Sequence, residues 1–244
     1  MKIIGVIPAR YKSSRFPGKP LADICGKPMI WWVYNQCTKV SEFDGVYVAT
    51  DDERIENVCK EFEIPVVMTS ENHQTHINRI HEVSNKIRAD LYVVVCGDEP
   101  LIDSVTISAV IPKNFVEKGM YVGALMREVS EPTEVIDPAN IKIATNKNDE
   151  CIMLSRSPIP FPYKTILYKY KKIIGVECYN KEALDFFAFT SVGVIESIED
   201  VTLQRFLENK IHIKFKLVET TALSVDTTRD LEKVIKVLEA RNNL

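Results

Sequence analysis

The six cysteines of this 244-residue chain form no CxxC pair and no closely spaced framework. A disulfide-stapled fold and a zinc ribbon are therefore excluded, and free thiols in a reducing compartment are expected. Long apolar runs are missing as well. Met29–Tyr34 and Leu91–Cys96 fall far short of the roughly 20 residues of a membrane span. The opening MKIIGVIPAR lacks the apolar stretch and small-residue cleavage site of a secretory leader, so a cytoplasmic protein is expected. Positive charge is not in surplus: 31 Lys+Arg stand against 34 Asp+Glu, a net charge of −3. That balance argues against a nucleic-acid partner or an anionic membrane partner. Neither GxxxxGK[ST] nor GxGxxG occurs after the first strand, so the usual nucleotide-loop signatures do not apply. Repeats, low-complexity tracts and linkers are absent too.

What is present is an ordinary globular composition, 45% hydrophobic and 27% charged, with enough chain to bury a core unaided. At about 150 residues per domain the length corresponds to roughly 1.6 domains. Short β-branched runs alternate with helical patterns. Strands are expected at Lys2–Ile7, Asp44–Ala49, Pro65–Met68 and Asp90–Cys96, and helices at Pro28–Val40, Asp51–Phe62 and His76–Lys86. That order indicates βαβ units around a parallel sheet. Beyond Pro100 the pattern loosens: helices are expected at Val105–Glu117, Ile198–Asn209 and Thr228–Asn242, and strands at Tyr121–Val129, Ile141–Ala144, Ile173–Cys178 and Ile211–Leu217. The reading is one α/β domain over 1–244, with a nucleotide-binding part at about 1–105 and a less regular part at about 106–244.

Three features carry chemistry. Arg10, Lys12, Arg15 and Lys19, with Ser13 and Ser14 between them, put four cations on the loop after the first strand. In open α/β sheets ligands bind at the carboxyl ends of strands, and guanidinium forks, hydroxyls and backbone N–H groups suit a polyphosphate. Gly97-Asp98-Glu99-Pro100 follows the most strand-like run. A carboxylate there, facing a basic loop, suits a divalent cation held against phosphates; turn chemistry alone is the competing reading. Asp226, in SVDTT, is a third candidate, and by itself it reads as a helix start. His73, His76 and His81 read as a polar loop and helix start, and Cys96 as a small buried residue. Trp31-Trp32 reads as core or dimer contact, and the basic, aromatic stretch Tyr163–Lys172 as a solvated connector or dimer arm.

In order along the chain, MKIIGVIPARYKSSRFPGKPLADICGKPMI, VYVATDD, CGDEPLI, LSRSPIPFP and SVDTTRDLEKV resemble the CMP-Kdo synthetases (3-deoxy-manno-octulosonate cytidylyltransferases), nearest to the capsule-type members. The resemblance implies a Rossmann-like nucleotidyltransferase of the nucleotide-diphospho-sugar transferase type. Such a fold has a mixed, mainly parallel sheet, helices on both faces and a smaller acceptor and dimerisation lobe. It implies CMP transfer from CTP to an acidic sugar such as Kdo, Mg2+ as cofactor and a homodimer. Arg10, Ser14, Arg15 and Lys19 would grip the triphosphate, with Pro8 and Ala9 near base and ribose and Arg79 near the nucleotide. Asp98 and Asp226 would hold the metal. Arg10, Arg15, Lys19 and Asp98 would form the catalytic set, while Lys142 matches a basic position of the central sheet.

The departures from the family pattern gather at the acceptor end. Cys96 replaces a glutamine, Glu177 a tyrosine, Ile173 or Ile174 a histidine, and Thr75–Arg79 stands where the family has Ser-Gly-Thr-Glu-Arg. Arg205 survives in a helix that has lost its neighbouring Glu and Gln. Arg156, Arg205, Cys96 and Glu177 are the expected acceptor-binding residues. Another anionic acceptor (a modified octulosonic acid, another sugar acid or a phosphonate) and a non-catalytic nucleotide binder are the alternatives.

Overall fold

The computed structural model describes residues 1–12, 16–115, 118–129, 131–165 and 167–242. Its strands are β1 (Ile3–Ala9), β2 (Asp23–Ile24), β3 (Lys27–Pro28), β4 (Gly45–Thr50), β5 (Val66–Met68), β6 (Leu91–Val95), β7 (Val122–Val129), β8 (Lys142–Thr145), β9 (Cys151–Ser155), β10 (Tyr170–Tyr179) and β11 (Lys214–Leu217). The main sheet runs β11-β7-β10-β6-β1-β4-β5, with β8 and β9 branching from β10, while β2 and β3 pair by themselves. β1 pairs in parallel with β4 and β6, and β4 with β5. β10 is antiparallel to both β6 and β7.

Period-two alternation explains why β1 and β6 sit at the centre. Ile4 and Val6 enter the core on one sheet face with Tyr92 and Val94. Ile3 and Ile7 enter the core on the other face with Leu91, Val93 and Val95. The helices His76–Lys86 and Lys181–Phe189 cover the first face through Ile77, Ile80, Val83, Leu184 and Phe187. The helices Met29–Cys37 and Glu53–Glu61 cover the second through Ile30, Val33, Ile55 and Cys59. The expected mixed, mainly parallel sheet with helices on both faces is therefore the one observed.

Several expected elements change. The helix expected at Val105–Glu117 is only Ser104–Ser108, because a proline at 112 disfavours helix in the residue before it; Val116 and Glu117 lie outside the described residues. The helix expected at Ile198–Asn209 is two, Val194–Glu199 and Gln204–Glu208, broken where Asp200 turns left-handed at φ 51°. β9 and the short helix Pro132–Ile136 had no counterpart in the sequence reading. The end of the basic aromatic connector, Tyr170–Lys172, is the start of β10, paired with β7 and β8.

Candidate functional site

Parallel strands deliver their carboxyl ends to one edge, and the chemistry gathers there. Arg10 follows β1 directly and is exposed. Gly18, left-handed at φ 72°, donates its N–H to the Tyr11 carbonyl at 2.9 Å. That closure starts the single helical turn Lys19–Leu21 and aims Lys19 inward. A Cβ at Gly18 would both strain the backbone and meet the Tyr11 ring at 3.2 Å.

Lys19 Nζ donates to Asp98 Oδ2 at 2.6 Å and lies 3.5 Å from Asp226 Oδ1. The two carboxylates come from segments 128 residues apart (226 − 98) and are joined through their backbones, Val225 N–H donating to the Asp98 carbonyl at 2.8 Å. Among the described residues no group of three or more His, Cys, Asp or Glu is placed to hold a metal. Two convergent hard oxygens beside a basic loop nevertheless form the kind of donor set magnesium takes, water or ligand oxygens completing such a shell. The residues fit the ion.

Behind Asp98 the site is braced by Glu99, which is 4% exposed. Its Oε1 accepts from Gly175 N–H at 2.9 Å and from the Ser224 hydroxyl at 3.1 Å, while Oε2 is buried with no hydrogen-bond partner. Glu99 thus ties the loop after β6 to the β10 bulge and to the segment carrying Asp226. Only glycine fits at 175, since a Cβ would lie 2.7 Å from Cys96 Cβ and 2.9 Å from Glu99 Oε1. Burial, reinforced by Asp98 and opposed by the Gly175 hydrogen bond, pushes the Glu99 carboxyl up to about 7.

That shift makes a prediction. The native state keeps a proton on Glu99 that the unfolded chain gives up near 4.5, so stability falls as pH rises from about 4.5 to 7. The whole loss is on the order of 3 kcal/mol. Glu99→Gln mimics the protonated form and should be more stable than the wild type at pH 8 but not at pH 4. Thermal melts in metal-free buffer check this; equal stability differences at both pH values would refute it.

Arg79 is 5% exposed. Its guanidinium donates to the Thr69 hydroxyl and pairs with Asp51 at 3.3 Å, so it links the ends of β4 and β5. Burial lowers its pKa and Asp51 opposes that shift. Pro8 and Ala9 lie at the end of β1, between β4 and β6. Ser14 and Arg15 lie outside the described residues.

Cys96 is half-buried, and its N–H donates to the Gly175 carbonyl at 2.7 Å. Burial, with Asp98, Glu177 and Glu99 nearby, raises its thiol well above the usual range, which makes it a poor nucleophile. Glu177 pairs with His76 at 2.8 Å. His76 had been read as a helix start, which it is, but it also faces the site, where Arg10 and Asp98 act on its charge. A lone histidine at a helix start gave no signal of a partner 101 residues away.

Two expected acceptor residues are not brought to this cluster. Arg205, 4% exposed, is held bidentate by Glu196 at 2.6 and 2.8 Å, donates to the Phe187 and Thr190 carbonyls, and lies 3.8 Å over the Phe187 ring. Arg156 donates to the carbonyls of Glu199, Pro138 and Asp200, clasping the left-handed corner after Glu199. Both side chains fasten the helix Val194–Glu199. Lys142, fully buried, likewise donates to the Asp137 and Asn140 carbonyls, at 2.9 and 2.6 Å.

A mixed sheet with Lys19, Asp98 and Asp226 brought together at its strand ends fits one class, the α/β nucleotidyltransferases. The cytidylyltransferase family model matches residues 4–216. The 3-deoxy-manno-octulosonate cytidylyltransferase of Fusobacterium nucleatum is 39% identical over 99% of both chains. The 8-amino-3,8-dideoxy-manno-octulosonate cytidylyltransferase of Shewanella baltica is 37% identical over 96% of this chain and 97% of its own. A solved CMP:2-keto-3-deoxy-manno-octonic acid synthetase, complexed with CTP, superposes with a TM-score of 0.90 at 33% identity, covering 99% of this chain and 100% of that one. The chain belongs to the cytidylyltransferase family, in the group of the 3-deoxy-manno-octulosonate cytidylyltransferases.

Proposed function

We propose that this protein transfers CMP from CTP to 3-deoxy-D-manno-octulosonate (Kdo), releasing pyrophosphate. The observation that carries the reading is the convergence of Asp98 and Asp226 on Lys19 at the strand ends, in a chain whose structural relative is described as complexed with CTP.

In the reaction an acceptor hydroxyl oxygen bonds to the α-phosphorus as the bond from that phosphorus to the β-phosphate bridging oxygen breaks. The hydroxyl proton is lost, and the electron pair of the broken bond leaves on pyrophosphate. Such chemistry rests on positioning and charge stabilisation more than on a nucleophilic side chain. Lys19 and Arg10 offset charge on the phosphates, and Arg15 belongs to the same expected set. Arg79 fixes the nucleotide edge. Asp98 and Asp226 would hold magnesium, which when bound neutralises α-phosphate charge and makes the acceptor hydroxyl more acidic. Cys96 and Glu177 lie toward the acceptor.

Pyrophosphate release should require CTP, Mg2+ and Kdo together and should saturate with Kdo. The 8-amino sugar, the acceptor in the Shewanella relative's name, is run beside it. No release with Kdo would overturn the reading; release with the amino sugar alone would move the acceptor assignment to it.

No helix among the described residues is long and apolar enough to cross a membrane. All six cysteines are free thiols, which supports a reducing compartment, the cytoplasm. A homodimer is part of the same reading. Phe189, Val192, Val194 and Ile198 are 58–82% exposed within ten residues of the smaller lobe, an apolar run of the kind subunit interfaces cover. Light scattering should give a dimer, and Val194→Asp with Ile198→Asp should give a monomer. A wild-type monomer would refute it.

A further inference from the structure

Glu177 is 7% exposed. Both of its partners use one oxygen: His76 Nε2 lies 2.8 Å from Oε2, and the Tyr179 hydroxyl donates to Oε2 at 2.7 Å. Among the described residues Oε1 accepts no hydrogen bond, yet it is not one of the fully buried oxygens without a hydrogen bond, which are Asp51 Oδ1 and Glu99 Oε2. Oε1 therefore keeps solvent contact, in a carboxylate near enough to Cys96 for its charge, with that of Asp98, to act on the thiol.

An ionised glutamate only accepts hydrogen bonds. Whatever meets Oε1 must bring a donor, and a sugar hydroxyl does so, while the acceptor's own carboxylate is repelled. This orients a polyhydroxy acid with its acid group away from Glu177. Together with Tyr179, His76 decides where Oε1 points. It occupies the first turn of an 11-residue helix whose Thr75 cap accepts from Asn78 N–H at 3.2 Å. The same helix carries Arg79 to Asp51, so one rigid element spans the acceptor and nucleotide sides. Burial works against charge on both members of the pair. Their mutual attraction outweighs it, raising His76 and lowering Glu177.

We propose that Glu177 and His76 form one acceptor-reading unit, in which Glu177 Oε1 receives a hydrogen bond from a hydroxyl of the sugar acid and His76 is the positioning residue that fixes the carboxylate. The inference rests on the proposed acceptor, Kdo. It adds His76, and it states why a glutamate stands at this position.

Steady-state kinetics with Kdo and CTP varied separately test it. Glu177→Gln should raise the KM for Kdo about tenfold or more, the usual scale for a charged hydrogen bond, and leave the KM for CTP within about twofold. His76→Leu, which cannot hold Oε2, should raise the Kdo KM several-fold and add little to Glu177→Gln in the double variant. His76→Gln retains a donor and should restore the wild-type value. An unchanged Kdo KM in Glu177→Gln, or equal increases in both KM values in His76→Leu, overturns the inference. A wild-type protein that releases no pyrophosphate with Kdo overturns the functional reading itself, so the two failures are told apart.

Discussion

Asp98→Asn is expected to lower kcat by about a thousandfold or more, equivalent to roughly 4 kcal/mol of transition-state stabilisation. The substitution keeps the shape but replaces a charged oxygen donor with a neutral amide, so it acts on charge alone. Two functions fail together. Lys19 loses the charge of its 2.6 Å partner, and the site loses one of the two anionic oxygens that would hold magnesium. Asp226→Asn should act in the same direction but more weakly, because its carboxylate stands 3.5 Å from Lys19. The Asp98 side chain is 29% exposed, so the melting temperature should hardly move. Pyrophosphate release measured over a magnesium series checks this. An Asp98→Asn enzyme within tenfold of wild type would refute the assignment of Asp98.

The largest loss of stability is expected far from this chemistry. Glu196→Ala should destabilise the fold by about 3–5 kcal/mol, the usual cost of stranding one partner of a buried ion pair. For a chain of this length that is on the order of 10 °C in melting temperature. The Glu196 and Arg205 side chains are 6% and 5% exposed, with the nearest oxygen and nitrogen 2.6 Å apart. After the change, the Phe187 and Thr190 carbonyls and the Phe187 ring still surround the guanidinium, but its counter-charge is gone. Replacing both members with apolar residues of similar volume should recover most of the loss. Thermal and urea melts of the single and double variants test the assignment. A single variant that loses less than about 1 kcal/mol would mean the pair is not a structural anchor.

These two predictions also separate what was legible from what was not. Arg205 looked like an acceptor contact because its position matched a family motif. The sequence could not show that Glu196, nine residues earlier, would fold back beside it across a left-handed corner at Asp200. The partners of Arg156 were hidden in the same way, its three carbonyl acceptors lying in segments 18 to 44 residues away. β9 was missed because its pairing is confined to β8 at the margin of the sheet, and Ile152 and Met153 remain exposed, so no apolar alternation announced it. By contrast β1, β4 and β6 were read within a residue or two of their ends. Strands buried on both faces must be continuously apolar, and that pattern survives without tertiary context.

What the sequence by itself determined is the local part of this protein: a strand-helix alternation, a cation-rich loop after the first strand, a carboxylate after the strongest strand, and motifs that place the chain in its family. Each is carried by residues close together in the chain, where periodicity, turn chemistry and charge density act. What only the tertiary structure decided is which distant residues meet. Asp98 reaches Asp226 across Lys19, and Glu99 reaches Gly175 and Ser224. His76 reaches Glu177, and Arg205 reaches Glu196. Those pairings depend on strand order, above all on β10 running antiparallel beside β6, and strand order is settled by the packing of the whole sheet.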